Sequence, residues 1–171
     1  MKITTLFFLS LIFLSSGFLN KSFKLLYINT SNSLPQGLYL NLPIFELKKN
    51  DLVLICLNEE MAKFAKERNY IKKGDCPLNT APLGKKITGI FNDKVIFKKD
   101  FILVNNIKIK NSKPLLKDSL GRNLPKILGE ILIKKGEYLL LNEVNDSFDS
   151  RYFGTISTSN IKGKLIPVFT L

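Results

Sequence analysis

The sequence contains no histidine, which removes the side chain that proteins most often use as a base at neutral pH. A Ser-His-Asp triad or a Cys-His pair cannot be built from this chain, so every hydrolase of those types is excluded. Two cysteines and the carboxylates are the remaining candidate ligands for a transition metal, and we predict neither a metal site nor a cofactor. An enzyme made from this chain has to take its base from another residue type.

Arginine is also scarce. Only three of the 26 basic residues are arginines, at Arg68, Arg122 and Arg151, although the formal net charge is +12. Nucleic-acid-binding proteins usually use arginine, because its planar guanidinium contacts phosphates and bases. The lysines are scattered, with no RNA-recognition motif, zinc finger or clear helix-turn-helix. We therefore predict no nucleic-acid partner and interpret the lysines as a solvated surface suited to anionic membrane lipid.

The chain divides into an uncharged N-terminal segment and a region with the composition of one globular domain. Residues 3–20 carry no charge, and this length is close to the ~20 residues with which a helix crosses a bilayer. A cleavable signal peptide is the alternative, because Ser15 and Gly17 are small enough for a cleavage site, although no Ala-x-Ala pattern is present. We favour a single-pass inner-membrane anchor at 1–22 and an exported, periplasmic domain at 23–171.

A hydroxyl-rich turn at residues 29–39 follows this segment. Pro35 restricts its own φ and pushes Leu34 toward extended conformations, while Gly37 permits a positive φ. The chain after Ser33 is therefore stiff and sharply turned, as it would be if it held a serine hydroxyl in one direction. An ordinary polar loop has the same composition, and on this stretch alone that alternative is favoured.

A buried strand is predicted at residues 51–57 and a helix, capped by Asn58, at residues 58–69. Cys56 and Cys76, the only cysteines, lie at the end of this strand and in the loop after the helix. In an exported domain we expect them to form a disulfide, worth roughly 3 kcal/mol for a loop of this length. Two reduced, buried thiols are the alternative in a cytosolic domain, and two thiolates alone make an incomplete metal site.

Residues 83–97 predict a strand, a turn at Asn92-Asp93 and a second strand. Successive side chains on a strand point to opposite faces, so one of Lys85 and Lys86 faces inward if the other faces water. Burial disfavours the charged amine, and lowering a lysine pKa from ~10.4 to ~8 takes about 3 kcal/mol. Proteins tolerate this mainly where a neutral amine is useful. For an arbitrary Lys-Lys pair, two exposed side chains are favoured.

The second half of the chain is predicted to be rich in short β segments, at residues 101–141. The stretch at 111–129, punctuated by lysine, proline and glycine, indicates an insertion or cap on the β core, spanning about 100–135, and carries no recognisable chemical signal. Further on, Asp149 and Arg151 are side chains of opposite charge two residues apart. On sequence alone they are an ion pair in a loop, which contributes little at a surface.

Three blocks occur in a fixed order: Ser-x-Ser-Leu-Pro after the hydrophobic segment, then Lys-Lys-Ile-Thr-Gly-Ile-x-x-Asp-Lys-Val, then Ser-x-Asp-Ser-Arg-Tyr-x-Gly. Together they resemble the type I signal peptidase family of serine/lysine membrane proteases. The resemblance covers essentially the whole chain, and the final block is its most specific part. Features at residues 29–39, 67–71 and 74–85 are more narrowly similar to the conjugative-transfer branch, the TraF-type peptidases that mature pilin subunits.

The resemblance implies a catalytic pair in which Ser33 is the nucleophile and Lys85 the general base. This role fits the absence of histidine, because a neutral amine can accept the serine proton and pass it to the leaving amine. The resemblance also implies an oxyanion hole made of the Ser33 backbone N–H and the Ser31 hydroxyl.

Three further roles are implied in the final block. Ser147 would donate or accept a hydrogen bond that orients the lysine, while Asp149 and Arg151 would support the site structurally. The chain departs from the family pattern where Phe91 and Asn92 replace a Pro-Gly turn. That departure affects the expected turn geometry and leaves the catalytic pair unchanged.

The sequence therefore predicts a mainly β protein, a signal-peptidase-type β domain with a short helix and a β cap insertion on one N-terminal transmembrane helix. The implied function is a serine endopeptidase that processes an exported precursor, a conjugative pilin subunit in the first instance, through an acyl-enzyme. Water or the substrate's own amine can resolve that intermediate, and the second route cyclises the product. The alternatives are a general signal peptidase acting on preproteins with Ala-x-Ala leaders and a non-catalytic scaffold of a secretion apparatus.

Overall fold

The computed structural model describes residues 24–171, and in this part the chain is mainly β, as the sequence predicts. Two α-helices occur among these residues, α1 (Glu59–Glu67) and α2 (Ser150–Phe153), together with short 3-10 turns at Pro77–Asn79 and Thr158–Asn160. The strands are β1 (Leu26–Asn29), β2 (Gly37–Leu42), β3 (Leu52–Ile55), β4 (Lys73–Cys76), β5 (Leu83–Gly89), β6 (Lys94–Phe97), β7 (Ile102–Val104), β8 (Ile107–Lys108), β9 (Gly129–Leu132), β10 (Glu137–Leu140), β11 (Ile156–Ser157) and β12 (Ile161–Thr170).

Eleven of these twelve strands form two antiparallel sheets, and β4 makes only isolated bridges to Thr80. The larger has the order β1-β2-β12-β3-β5-β10-β11, and the smaller has the order β8-β7-β6-β9. Strand β3 lies in the middle of the larger sheet, which explains its uninterrupted aliphatic sequence. Its side chains alternate between two clusters: Val53 and Ile55 pack with α1, while Leu54 packs with Leu34 from the serine-bearing turn. Helix α1 and this turn are therefore both attached to the same central strand.

The predicted membrane anchor at residues 1–22 lies outside the described residues. Among the residues that are described, no helix is both long enough and apolar enough to cross a bilayer. The division into an anchor and a domain at 23–171 stays a prediction.

Local signals in the sequence place several elements correctly. The helix predicted at 58–69 is α1, and the Asn58 side chain caps it by accepting a hydrogen bond from Met61 N at 2.9 Å. The predicted strand, turn and strand at 83–97 are β5, a turn with Asn92 at φ 68°, and β6. The region where the sequence predicts a cap, about 100–135, contains three strands of the smaller sheet, β7, β8 and β9, while its fourth strand, β6, precedes the region. The chain between β8 and β9 is irregular and contains a lone β-bridge between Lys117 and Asn123.

The predicted disulfide between Cys56 and Cys76 is present, with the two Cα atoms 5.5 Å apart. It joins the segment after β3 to the end of β4 and so closes the chain around α1. Both cysteines are buried. The alternative of two reduced thiols is therefore wrong for this structure.

Replacing both cysteines, as Cys56→Ala/Cys76→Ala, should lower the free energy of unfolding by roughly 3 kcal/mol, because the unfolded chain regains the entropy of a closed loop. Urea denaturation of the double variant and of the natural protein with its disulfide intact measures the difference. A reductant should destabilise the natural protein and leave the double variant unchanged, which provides the control. Equal unfolding midpoints for natural and double-variant protein would contradict the prediction.

The ion pair of Asp149 and Arg151 is buried, which corrects the expectation of a weak pair at the surface. Both side chains have 0% exposure, and Arg151 Nε and Nη2 each donate to the Asp149 carboxylate at 2.9 Å. Nη2 also donates to the carbonyls of Asn142 and Val144, and Nη1 donates to the carbonyl of Asn145, at 2.8 to 2.9 Å. The sequence did not reveal this burial, because the enclosing groups come from the preceding loop. The pair holds together the whole segment from 142 to 151.

Asp149→Asn should lower the free energy of unfolding by about 3–5 kcal/mol, because it leaves the buried Arg151 guanidinium without a counter-charge. The matched control is Glu130→Gln, which breaks the Lys94–Glu130 pair, whose side chains are 47% and 54% exposed. That change should cost less than about 1 kcal/mol. Chemical denaturation of the two variants compares them directly, and equal losses would show that the burial of Asp149 does not matter.

Candidate active site

The turn that carries Ser33 is organised by the buried side chain of Asn29. Its amide Nδ2 donates to the carbonyls of Ser31, Leu34 and Pro35, at 3.0, 2.9 and 3.1 Å. Its Oδ1 accepts from the Ser31 backbone N–H at 3.1 Å and from the Ser31 hydroxyl at 2.8 Å. One side chain thus supplies the hydrogen bonds that this tight turn cannot make with its own backbone. Ser33 is held half-buried at the centre of the turn.

This turn packs closely on strand β5 at Gly84. A Cβ atom at Gly84 would lie 2.8 Å from Leu34 Cδ1, so a side chain there would push the turn away. Leu34 is itself buried, in the cluster that includes Tyr39. Ser33 precedes Leu34 and Lys85 follows Gly84, so this contact brings the serine turn to the strand position next to the lysine. Position 84 therefore has to be a glycine, because the serine turn approaches the strand too closely for a side chain there.

Lys85 is the inward-facing member of the Lys-Lys pair. It is 1% exposed, whereas Lys86 is partly exposed and pairs with Glu143 at 2.6 Å. The alternative that both lysines are exposed is therefore wrong. Lys85 Nζ donates to the Ser147 hydroxyl at 2.9 Å, and Ser147 is equally buried.

The surroundings of Lys85 favour the neutral amine. Burial is the main cause that lowers its pKa from 10.5 to about 8, and the positive charge of Arg151 adds to this effect. The negative charges of Asp149 and Asp146 act in the opposite direction and limit the shift. A substantial fraction of the amine is therefore unprotonated near pH 8, which is the form that can accept a proton.

Asn142 is a site residue that the sequence analysis missed. Its Oδ1 accepts from Lys86 N at 2.9 Å and its Nδ2 donates to Gly84 O at 3.3 Å, so it holds the strand backbone on both sides of Lys85. Its own N–H donates to the Asp149 carboxylate at 3.1 Å. The sequence feature that could have indicated Asn142 is its position directly after three consecutive leucines, residues 139–141. Asn142 connects the lysine strand to the buried ion pair.

An aromatic cluster packs beside these polar groups. Phe148, between Ser147 and Asp149 in the chain, stacks on Phe64 and on Tyr152, with ring centroids 6.1 and 5.7 Å apart. Phe148 therefore fixes the segment that presents Ser147 to the lysine.

Ser33 and Lys85 line one cavity of about 530 Å³, which we call the aromatic groove. Its walls include three aromatic rings and three residues of the irregular stretch after β8, namely Tyr70, Phe148, Tyr152, Leu115, Asp118 and Leu124. Ser31 also lines it, so the predicted nucleophile, base and oxyanion residues share a single cavity. Ser147 is not among the residues that line the cavity and contacts Lys85 inside the protein. The Asp149–Arg151 pair is fully buried.

The irregular stretch is attached to the rest of the molecule through Asp118. Tyr70 OH, which lies outside the stretch, donates to its carboxylate at 2.6 Å, and Arg122 Nε, within the stretch, donates to it at 2.7 Å. Burial alone would raise the pKa of Asp118, but these hydrogen bonds outweigh it and hold the pKa well below its usual range. Leu115 N also donates to Tyr152 OH at 3.0 Å. A segment without a chemical signal in the sequence thus forms one wall of the groove, which only the fold reveals.

The two predicted oxyanion donors, the Ser31 hydroxyl and the Ser33 backbone N–H, differ in their surroundings. Ser31 is exposed and its hydroxyl donates to Asn29 in this structure, so it has to rotate before it can donate into the groove. The Ser33 backbone N–H belongs to the rigid turn. Within residues 24–171, no three Cys, Asp or Glu side chains converge as they would in a metal site.

Comparison with known proteins gives consistent matches. The family described as "Signal peptidase, peptidase S26" matches residues 1–170. The plasmid transfer protein TraF of Escherichia coli is 35% identical over 147 residues, covering 84% of this chain and 82% of that protein. The conjugal transfer protein TraF of Agrobacterium fabrum is 31% identical over 148 residues, covering 84% and 81%. A signal peptidase I from Enterococcus faecalis V583 aligns with a TM-score of 0.41 at 18% identity, over 72% of this chain and 99% of that structure.

The match to the family extends over nearly the whole chain, and the TraF proteins are similar over most of their own length. The chain therefore belongs to the signal peptidase family of peptidases, peptidase S26.

Proposed function

We propose that the protein is a serine endopeptidase in which Ser33 is the nucleophile and Lys85 is the general base. The observation that carries this proposal is the buried amine of Lys85, which shares a cavity with Ser33 and has a pKa of about 8. A general base works best when its pKa is near the working pH, because enough of it is then unprotonated while it stays basic. Among the lysines of residues 24–171, only Lys85 has a buried side chain.

In this mechanism the Lys85 amine accepts the proton of the Ser33 hydroxyl as Ser33 Oγ attacks the scissile carbonyl. The resulting ammonium then donates its proton to the leaving amine, and an acyl-enzyme remains on Ser33. The Ser33 backbone N–H and the rotated Ser31 hydroxyl stabilise the oxyanion, and each such donor typically lowers the barrier by ~3 kcal/mol. Water, or the amine of the substrate itself, then attacks the acyl-enzyme.

Ser147, Asp149 and Arg151 act as positioning residues. Ser147 holds the amine of Lys85 at 2.9 Å, so the lysine has one defined orientation in the groove. The buried ion pair holds the segment that carries Ser147 in place. The opposite charges of Asp149 and Arg151 also largely cancel each other's effect on Lys85. Without Asp149, the uncompensated Arg151 guanidinium would lower the pKa of Lys85 further.

We propose an exported precursor as the substrate, with a conjugative pilin subunit as the first candidate. The support comes from the relatives, which are named plasmid transfer and conjugal transfer proteins. Processing of this kind would occur at the periplasmic face of the inner membrane, with residues 1–22 as the anchor. The disulfide fits an oxidising compartment such as the periplasm.

Co-expression with a pilin precursor tests the proposal. The natural protein should shorten the precursor, while Ser33→Ala and Lys85→Ala should leave it intact, as intact mass spectrometry of the precursor will show. A product one water lighter than the linear peptide would identify cyclisation. Ser159→Ala and Lys135→Ala, which alter exposed residues outside the groove, serve as matched controls and should process normally.

Processing by Ser33→Ala at the natural rate would refute the assignment of the nucleophile. If the pilin precursor stays intact with every variant, a preprotein with an Ala-x-Ala leader is the next substrate, and its cleavage would identify a general signal peptidase. Failure to cleave either substrate would favour the non-catalytic scaffold.

The pH dependence provides a second test, because only the neutral Lys85 amine can act as the base. We expect kcat/KM to rise about tenfold per pH unit below pH 8 and to level off above it. Asp146 is exposed and its negative charge raises the pKa of Lys85, so Asp146→Asn should move the profile to lower pH. Asp100→Asn, an exposed change elsewhere, is the control and should not move it. A flat profile from pH 6 to 9 would contradict the lysine mechanism.

A further inference from the structure

Ser33 lies at the boundary between two cavities. One is the aromatic groove, and the other is a second cavity of about 770 Å³ lined by the turn residues on the opposite side of the serine, including Asn32 and Leu34, and by Asn142 and Glu143. A polypeptide whose scissile bond sits over Ser33 has to leave in two directions. The second cavity offers the path that leads away from the aromatic groove.

This path continues into a groove lined by lysines. A third cavity, of about 360 Å³, shares Lys86, Asn142 and Glu143 with the second cavity, so the two adjoin. We call it the lysine groove, because Lys49, Lys86, Lys108 and Lys110 line it together with aliphatic residues of β7 and β8. Its one lining carboxylate is that of Glu143.

Two of the four lysines already have carboxylate partners. Lys49 Nζ pairs with Asp93 at 2.8 Å, and Lys86 Nζ pairs with Glu143 at 2.6 Å. The Lys86 hydrogen bond and charge, with a contribution from Lys110, lower the pKa of Glu143, so this carboxylate stays ionised and engaged. These pairs therefore leave little negative charge to attract or repel a ligand.

The other two lysines, Lys108 and Lys110, form no ion pair with any carboxylate of residues 24–171. Lys108 Nζ lies 4.8 Å from the centroid of the Phe101 ring, a contact that limits where this amine can move. The lysine groove thus has a net positive charge at its rim and an aliphatic lining. A concave groove with a cationic rim and an aliphatic lining suits an extended peptide with acidic side chains better than a flat layer of lipid headgroups.

We propose that the lysine groove binds an acidic segment of the precursor, on the side of the scissile bond that points away from the aromatic groove. The inference rests on the proposed function, since it takes Ser33 as the point where the substrate is cut. It assigns to Lys108 and Lys110 the selection of precursors by charge, outside the residues that perform the chemistry.

Synthetic peptides that span one Ala-x-Ala junction test this proposal. Three versions carry three aspartates before the junction, three aspartates after it, or asparagines at both places. Binding is measured by fluorescence anisotropy on Ser33→Ala, which needs no cleavage, and kcat/KM is measured on the natural protein. We expect one of the two acidic peptides, and not the other, to bind about tenfold more tightly than the asparagine peptide, from a few lysine contacts of ordinary surface strength.

The lysine variant Lys108→Gln/Lys110→Gln, made in the Ser33→Ala background, should remove most of this preference. The matched control is Lys134→Gln/Lys135→Gln, which removes the same charge from the exposed turn between β9 and β10 and should keep it. Adding ~0.5 M NaCl should also weaken the preference, because it shortens the screening length to a few ångströms.

Several outcomes would overturn the proposal. Equal binding of all three peptides would show no charge selection, and equal gains for both acidic peptides would show only attraction to a basic protein. A preference that survives Lys108→Gln/Lys110→Gln would place the site elsewhere. If that variant keeps the peptide preference but loses binding to vesicles containing phosphatidylglycerol, the lysines face a membrane. Selective binding without cleavage by the natural protein would count against the Ser33 mechanism and leave the lysine groove supported.

Discussion

The burial of one lysine amine is the constraint on which the rest of the site depends. Lys85 is almost completely enclosed, and the desolvation of its charged form is the main reason that its pKa falls to about 8. An isolated buried ammonium would be costly, so the surrounding groups have to limit that cost without removing it. Ser147 supplies a hydrogen bond, and the carboxylates of Asp149 and Asp146 offset the effect of Arg151.

These groups belong to one connected unit. The Asp149–Arg151 pair holds the loop from 142 to 151 together, because Arg151 also donates to the carbonyl of Asn142. Asn142 in turn connects that loop to the strand backbone on either side of Lys85. On the other side, Asn29 shapes the serine turn and Gly84 lets it approach the same strand. The lysine and the serine are therefore positioned by rigid, buried contacts, as a site that must hold its geometry requires.

The sequence predicted much of the architecture. The Asn58 cap, the β5–β6 turn and the disulfide follow from short-range rules on capping, turn residues and export, and each is observed. The order of the three blocks indicated the family, which the comparisons confirm. Contacts between distant segments were not predictable from the sequence. Asn142 bonds to Lys86, and Asp118, in a stretch without a recognised role, bonds to Tyr70. Taken alone, Asp149 and Arg151 indicated a weak surface pair, and only the family resemblance implied their role as structural support.

By itself, the sequence determined which chemistry is excluded: without histidine, no Ser-His-Asp triad or Cys-His pair can form, and the alternation of a strand at β5 puts Lys85 and Lys86 on opposite faces. Which lysine is buried, how far its pKa falls and what lines the groove were decided by tertiary structure. Periodicity and capping depend on neighbours in the chain, whereas desolvation and charge compensation depend on groups that folding brings together. Lys85 and Ser147 are 62 residues apart in sequence, yet Lys85 Nζ and Ser147 Oγ lie 2.9 Å apart in the folded protein.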